Sequence, residues 1–220
     1  MFIVSLLALL GFGTIHSLLA ALGVKTLARR LMGKRTFEGF YRLLYNLFSV
    51  ITFAPVALLI LVAPAEMLWR VPMPWAGIML GVQAVATVCL MVAVLQADPL
   101  RFAGISQALA YLRGEPLPLP AEQLQVNGFY SLVRHPLYLF SLLALWPAPI
   151  MTDAYLGFLV GTTIYFVAGS RLEERRLVRD FGAAYMAYQR RVPWLIPWPR
   201  PPLDALLRRG TVERRGKRTT

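Results

Sequence analysis

Two stretches of this sequence carry residue types that bind charge. The first is Asn127-Gly128-Phe129-Tyr130-Ser131-Leu132-Val133-Arg134-His135-Pro136-Leu137-Tyr138. Pro136 has no N–H and a fixed φ, so it suits the first turn of a helix. His135 then falls near the N-cap, with Arg134 beside it. The unpaired N–H groups of a helix start, the positive end of its dipole and a guanidinium together make a position for a carboxylate or phosphate. A plainer arrangement uses the same residues: Arg134 snorkels to lipid headgroups and His135 only caps. The second stretch is Glu173-Glu174, a carboxylate pair set among arginines. The other histidine, His16, lies in an apolar run, and Tyr45 and Asn46 fall at a similar depth in the next one. Each of these three either bonds to a neighbouring helix or lines a pocket. Cys89 is the only cysteine, so it forms no intrachain disulfide and no metal site, and its place in an apolar run suits packing.

The elements that must position these residues are membrane spans. With 57% hydrophobic residues and a mean hydropathy of +0.57, the 220-residue chain reads as an integral membrane protein. A span needs roughly 20 apolar residues. Residues 2–23 make the first, about 41–63 the second with Pro55 as a kink, and about 75–97 the third. Phe102 to Leu112 suits an interfacial helix, and the proline-rich stretch 115–120 is extended chain. A fourth span starts at Pro136 and is interrupted by Trp146-Pro147-Ala148-Pro149, and a fifth covers about 155–169; the two form a hairpin. From Arg171 an amphipathic helix follows, with Leu177, Val178, Phe181, Tyr185 and Tyr188 on one face. Arg175, Arg176, Arg179, Asp180 and Arg190 fill the other. Gly182 weakens that helix and points to close packing there. The expected fold is all-α and integral to the membrane, with about five transmembrane helices and a cytoplasmic amphipathic C-terminal helix. Residues 1–207 form one domain, and 208–220 a basic, disordered tail drawn to anionic lipid.

Charge sets the expected orientation. The net charge is +12, and its clustering beside apolar spans favours a membrane surface over nucleic acid. The 24–42 link and everything after Ser170 are basic, while 64–74 and 150–154 carry almost no positive charge. The positive-inside rule then puts the N-terminus outside and the C-terminus in the cytoplasm, and the expected membrane is a bacterial inner membrane. Both charge-binding stretches share the cytoplasmic face. A basic helix start and a carboxylate pair on one face match a zwitterion. S-adenosylmethionine is one: its carboxylate suits Arg134, His135 and the helix start, and its ammonium and ribose hydroxyls suit Glu173 or Glu174.

The same residues resemble a known group. Gly128-x-Tyr130-x-x-Val133-Arg134-His135-Pro136-x-Tyr138 is similar to the signature of isoprenylcysteine carboxyl methyltransferase-like and phospholipid methyltransferase-like membrane enzymes. Glu173-Glu174-x-x-Leu177, Phe181-Gly182, Tyr185, Tyr188, Val192-Pro193 and Ile196-Pro197 resemble that group's C-terminal pattern, so the clear likeness covers about 127–197. Upstream, His16-Ser17, Lys25, Tyr41-Arg42, Tyr45-Asn46, Asp98 and Trp146-Pro147-x-Pro149 resemble the branch holding methanethiol S-methyltransferases and NnrU-type proteins. Pro99-Leu100-Arg101 departs from that branch's pattern.

The resemblance implies a membrane methyltransferase using S-adenosylmethionine and acting on a small or lipophilic acceptor. A thiol, a prenylcysteine carboxylate and a lipid amine all fit that description. It implies Gly128, Tyr130, Arg134, His135, Tyr138, Glu173 and Glu174 as cofactor residues and Arg134 and His135 as the catalytic candidates. His16, Tyr45 and Asn46 are candidates for the acceptor pocket. Such chemistry asks mostly for in-line positioning and exclusion of water. Two other readings stand beside it. One is a non-catalytic, NnrU-like component of another membrane complex. The other is a b-type haem protein with His16 and His135 as axial ligands, which the position of His135 against Pro136 disfavours.

Overall fold

The computed structural model describes residues 1–198. Among them, three helices are long and apolar enough to cross a membrane: α1 (Phe2–Ala20), α3 (Lys34–Val62) and α4 (Trp75–Gln96). The 24–42 segment, which the charges suggest is a link, is helical nearly throughout. Ala21 turns the chain from α1 into α2 (Leu22–Met32), and Gly33, at φ +79°, turns it again into α3. Lys and Arg are good helix formers, so a basic segment beside a span need not be a loop. Pro55 lies inside α3 without ending it. Past α4 the chain forms α5 (Pro99–Ala103) and α6 (Ile105–Leu112), separated at Gly104, then the short α7 (Phe129–Leu132).

The expected hairpin is present as α8 (Pro136–Leu145) and α9 (Asp153–Phe181). Ten residues of helix rise about 15 Å, half of a hydrocarbon core of about 30 Å. Past Leu145 the chain is non-helical through Pro147 and Pro149, with the Ala148 N–H turned back onto Trp146 O at 2.7 Å, before β2 begins. Non-helical backbone at that depth must find its hydrogen bonds inside the protein. The last carbonyls of α8 do so: the Gln83 amide of α4 donates to Ala144 O at 2.9 Å, and the Tyr155 hydroxyl of α9 donates to Leu145 O at 2.9 Å. Ala148 and Met151 are buried.

The apolar fifth segment and the amphipathic helix are one continuous α9 of 29 residues. It ends at Gly182, and α10 (Ala183–Arg191) follows. Gly182 sits at φ +55°, and a Cβ there would meet nothing within 4 Å. The expectation of close packing is therefore corrected: the glycine is there for a backbone angle that side chains disfavour.

The all-α membrane class holds, with one small addition. Strand β1 (Met67–Arg70), between α3 and α4, pairs antiparallel with β2 (Ile150–Thr152), between α8 and α9. Strands of four and three residues leave too few alternations to read from sequence. Asp153 ties this end together. One carboxylate oxygen accepts from Glu66 N–H at 3.0 Å, the other from Phe2 N–H at 3.2 Å and from the Met1 ammonium at 2.5 Å. The N-terminus, the 64–74 link and the 150–154 turn thus gather at one end, away from the basic segments. Helix α1 lies along α9, and α8 along α4. A Cβ on Gly157 would stand 2.2 Å from Phe2 O, so a small residue is what lets α1 and α9 approach. The tail 208–220, and the domain end at 207, lie outside the described residues.

Candidate functional site

A cavity of about 680 Å³ opens between α1, α3 and α9. One stripe of each helix lines it. His16, Ser17 and Ala20 come from α1, Tyr41, Arg42, Tyr45 and Asn46 from α3, and Gly169, Leu172, Glu173 and Arg176 from α9. Lys25 of α2, Phe102 of α5, Tyr138 of α8 and Tyr165 of α9 complete the wall. The three residues expected in an acceptor pocket, His16, Tyr45 and Asn46, all lie here. Asn46 has a structural share as well, because its amide donates to Phe102 O and Ala103 O, both at 3.0 Å, and so fixes the end of α5. Arg176, placed by periodicity on the outer face, lines the cavity instead. The rim is tied down by Glu122, which pairs with Arg42 at 2.7 Å and Arg101 at 3.2 Å.

Five of the seven expected cofactor residues divide into two groups, and Gly128 and Tyr130 stand apart from both. Tyr138 and Glu173 line the cavity and bond to each other, hydroxyl to carboxylate at 3.0 Å. Arg134, His135 and Glu174 form a second cluster behind that wall. The Arg134 guanidinium pairs with Glu174 at 2.6 Å and donates to Gln189 O at 3.0 Å and Val192 O at 2.8 Å. The backbone N–H groups of Arg134 and His135 donate to Pro193 O and Trp194 O. The anion at this helix start is therefore the protein's own Glu174. His135 is the N-cap residue before Pro136, as its place in sequence suggests. Its Nε2 stands 3.3 Å from Glu174, its Nδ1 3.6 Å from Glu173, and its ring stacks on Tyr138 at 5.4 Å. Tyr185 and Gln189 of α10 also donate to Glu174. Tyr130 lends its carbonyl to the Tyr188 hydroxyl at 2.5 Å. Gly128, at φ +61°, makes the turn whose next N–H is capped by Gln96. The two histidines do not face a common space, and both ring nitrogens of each already have side-chain partners, an arrangement unlike a pair of axial ligands.

Electrostatics keep the inner cluster in one charge state. Burial alone would push the Glu174 carboxyl up, but the hydrogen bond and charge of Arg134, with help from His135, hold it below the usual carboxylate range. Burial pushes His135 down against the pull of Glu173 and Glu174, so its ring is neutral at pH 7. Burial and the Glu173 charge push the Tyr130 hydroxyl up to about 12. On the cavity wall, burial and then the charges of Arg176 and Arg42 push the Lys25 ammonium down. Both inner groups bind protons more weakly folded than unfolded, so both make acid destabilising. Stability from His135 is complete above its unfolded value of about 6.5 and falls as pH drops through the lower folded value. The Glu174 contribution is lost further down, as pH falls below the ordinary carboxylate range. The thermal unfolding temperature in detergent should therefore fall in two steps below about pH 6.5, and His135→Asn should abolish the upper step only.

Comparison with known proteins adds to this geometry. The family described as NnrU protein matches residues 4–148, which include His16, Tyr45, Arg134, His135 and Tyr138. Methanethiol S-methyltransferase of Mycobacterium tuberculosis is 33% identical over 205 residues, 88% of this chain and 77% of that protein. Methanethiol S-methyltransferase 1 of Bradyrhizobium diazoefficiens is 42% identical over 97 residues, 44% of this chain. That of Crocosphaera subtropica is 46% identical over 76 residues, 34% of this chain and 30% of that protein. The matched segment spans only 33% of Bradyrhizobium enzyme 1 and 36% of enzyme 2. No solved structure matches. Matched by the family over residues 4–148, from the start of α1 past the end of α8, this chain belongs to the NnrU family.

Proposed function

We propose that this protein is a membrane methyltransferase that uses S-adenosylmethionine and acts on a small or lipophilic thiol. The observation that carries the reading is the composition of the cavity wall. It joins Tyr138 and Glu173, from the two charge-binding stretches, to His16 and Tyr45 from the first two spans. The cavity's volume falls in the range of small-molecule and cofactor sites. The cofactor fits its donors: Glu173 is a partner for an ammonium, Lys25, Arg42 and Arg176 are partners for a carboxylate, and Tyr138 and Tyr165 offer aromatic faces. S-adenosylmethionine supplies a methyl group on a positively charged sulfur, which needs no nucleophile from the protein. The chain's own task is to hold donor and acceptor in line and keep water out. Arg134, His135 and Glu174 serve as the frame that fixes Glu173 and Tyr138, with Gly128 and Tyr130 fixing the start of α8. The names of the matched relatives favour a small thiol over a prenylcysteine carboxylate or a lipid amine.

Calorimetric titration of S-adenosylhomocysteine into detergent-solubilised protein tests the reading, followed by methyl transfer from labelled cofactor to each acceptor class. Saturable binding and a labelled thioether are expected. An absence of binding would favour the non-catalytic NnrU-like component.

The same reading places the cavity mouth in the cytoplasm of a bacterial inner membrane, with the N-terminus outside. The gathering of the N-terminus, 64–74 and 150–154 at one end supports this. After Cys89 is replaced, single cysteines at positions 34 and 115 should resist an impermeant reagent in intact cells, and those at 70 and 153 should react. Labelling of position 34 from outside would reverse the orientation.

A further inference from the structure

We infer that Tyr45 and His16 form a proton relay that ionises the acceptor thiol, an inference that rests on the methyltransferase reading above. A thiolate rather than a thiol is the nucleophile, and a free cysteine thiol ionises only near ~8.5. A protein that methylates a thiol at neutral pH therefore gains from a base beside the acceptor. On the cavity wall, His16 and Tyr45 form such an arrangement.

His16 Nε2 stands 2.5 Å from the Tyr45 hydroxyl, and its Nδ1 stands 2.7 Å from Ser49 Oγ. We assign the tautomer from the hydrogen bonds around Ser49. Its hydroxyl has one proton, which goes to the Tyr45 carbonyl one turn back at 2.8 Å. The Ser49 oxygen is then left to accept from His16 Nδ1–H. That leaves Nε2 without a proton and aimed at the Tyr45 hydroxyl, which donates to it. The other acceptor near that hydroxyl, the His16 carbonyl, is farther away at 3.4 Å. Phe12 stacks on the imidazole at 5.7 Å and Tyr165 meets it edge-on at 6.4 Å, so two aromatic rings pack against it. A Cβ on Gly13 would stand 2.7 Å from the Tyr165 ring, so that glycine makes room for the contact.

The step balances. The acceptor S–H proton moves to the Tyr45 oxygen as the Tyr45 hydroxyl proton moves to His16 Nε2. The sulfur electron pair forms the new S–CH₃ bond. The donor's C–S⁺ bond breaks with its electrons staying on the donor sulfur, which becomes a neutral thioether. His16 ends as imidazolium, hydrogen-bonded to Tyr45 and Ser49, and returns its proton to water through the cavity mouth. Ser49 is a positioning residue, because it selects the tautomer without touching the acceptor.

The test combines turnover with binding. In His16→Asn, kcat at neutral pH should fall by about 10²–10⁴, the usual share of a general base. The loss should shrink as pH rises toward the thiol's own ionisation, and should be smaller for more acidic thiols. Tyr45→Phe, which keeps the ring, should show the same two trends. S-adenosylhomocysteine should bind both variants as it binds the parent, a result that a merely structural role would not give. A loss equal at every pH and for every thiol, or a loss below tenfold at neutral pH, would overturn the relay. Failure of the parent protein to bind S-adenosylhomocysteine would overturn the methyltransferase reading itself, a separate and distinguishable outcome.

Discussion

Arg134→Leu should unfold the C-terminal third of this protein at a temperature where the parent is intact. The guanidinium is nearly buried and holds Glu174, Gln189 O and Val192 O at once, joining α8, α9 and α10. Leucine leaves a carboxylate without its cation and two carbonyls without donors. Breaking one side of a buried pair costs about 3–5 kcal/mol, a large fraction of the roughly 5–15 kcal/mol that holds a typical domain folded. Arg134→Lys should cost less but still hurt, because an ammonium is a point charge and cannot span three acceptors as a planar fork does. The double change to Leu at 134 and 174 should recover most of the loss, since the unpaired charge is gone. Thermal unfolding and limited proteolysis of α10 in detergent would measure all three. If the double variant is no better than Arg134→Leu, the cost is lost packing rather than an orphaned carboxylate.

Glu173→Gln should do the reverse: leave stability near the parent's and weaken cofactor binding. Glu173 is more exposed than Glu174, faces the cavity, and its partners there are the Tyr138 hydroxyl and, at 3.6 Å, His135. Glutamine keeps the shape and still accepts from Tyr138. What it removes is the charge that would meet an ammonium. A hydrogen bond to a charged group is worth roughly 1.5–3 kcal/mol, or about tenfold to a hundredfold in Kd. Calorimetric titration of S-adenosylhomocysteine reads this directly. Arg175→Gln, on the exposed side of α9, is the control. Arg176→Gln does not serve, because Arg176 lines the cavity. Unchanged binding in Glu173→Gln would move the ammonium away from this carboxylate.

These two expectations separate neighbouring carboxylates that look alike in sequence. Consecutive residues on a helix point about 100° apart, so Glu173 and Glu174 face different neighbours, with the His135 ring between them. Glu173 shares its stripe with Gly169, Leu172 and Arg176, toward α1 and α3. Glu174 faces Arg134, Tyr185 and Gln189. The split was there to be read from periodicity, but only once the cavity stripe was known. Pro136 made the start of α8, and His135 at its N-cap, legible at once, because proline leaves little choice there. The stripe of His16, Tyr45 and Asn46 was legible as polar groups at depth. The hydrogen bonds that give the imidazole its tautomer depend on how α1 meets α3, which spacing along one helix does not encode. Helix α2 was hidden by its charges, and β1–β2 by its shortness. Gly182 was visible as an exception, but sequence could not tell a packing reason from a dihedral one.

The half-length of α8 bears on how the protein is made. A nascent helix enters the bilayer on its own when about 20 apolar residues cover its backbone. The ten residues of α8, followed by Pro147 and Pro149, cannot, and the open carbonyls of Ala144 and Leu145 would have to enter lipid without donors. Their donors are Gln83 on α4 and Tyr155 on α9. One arrives before α8 during synthesis and the other after it. Segment α8 is thus expected to insert together with α9 rather than alone, against an α4 that is already in place. Gln83→Leu makes α4 more hydrophobic and a better inserter, yet it should lower the yield of correctly assembled protein, since it removes the receptor for the next segment.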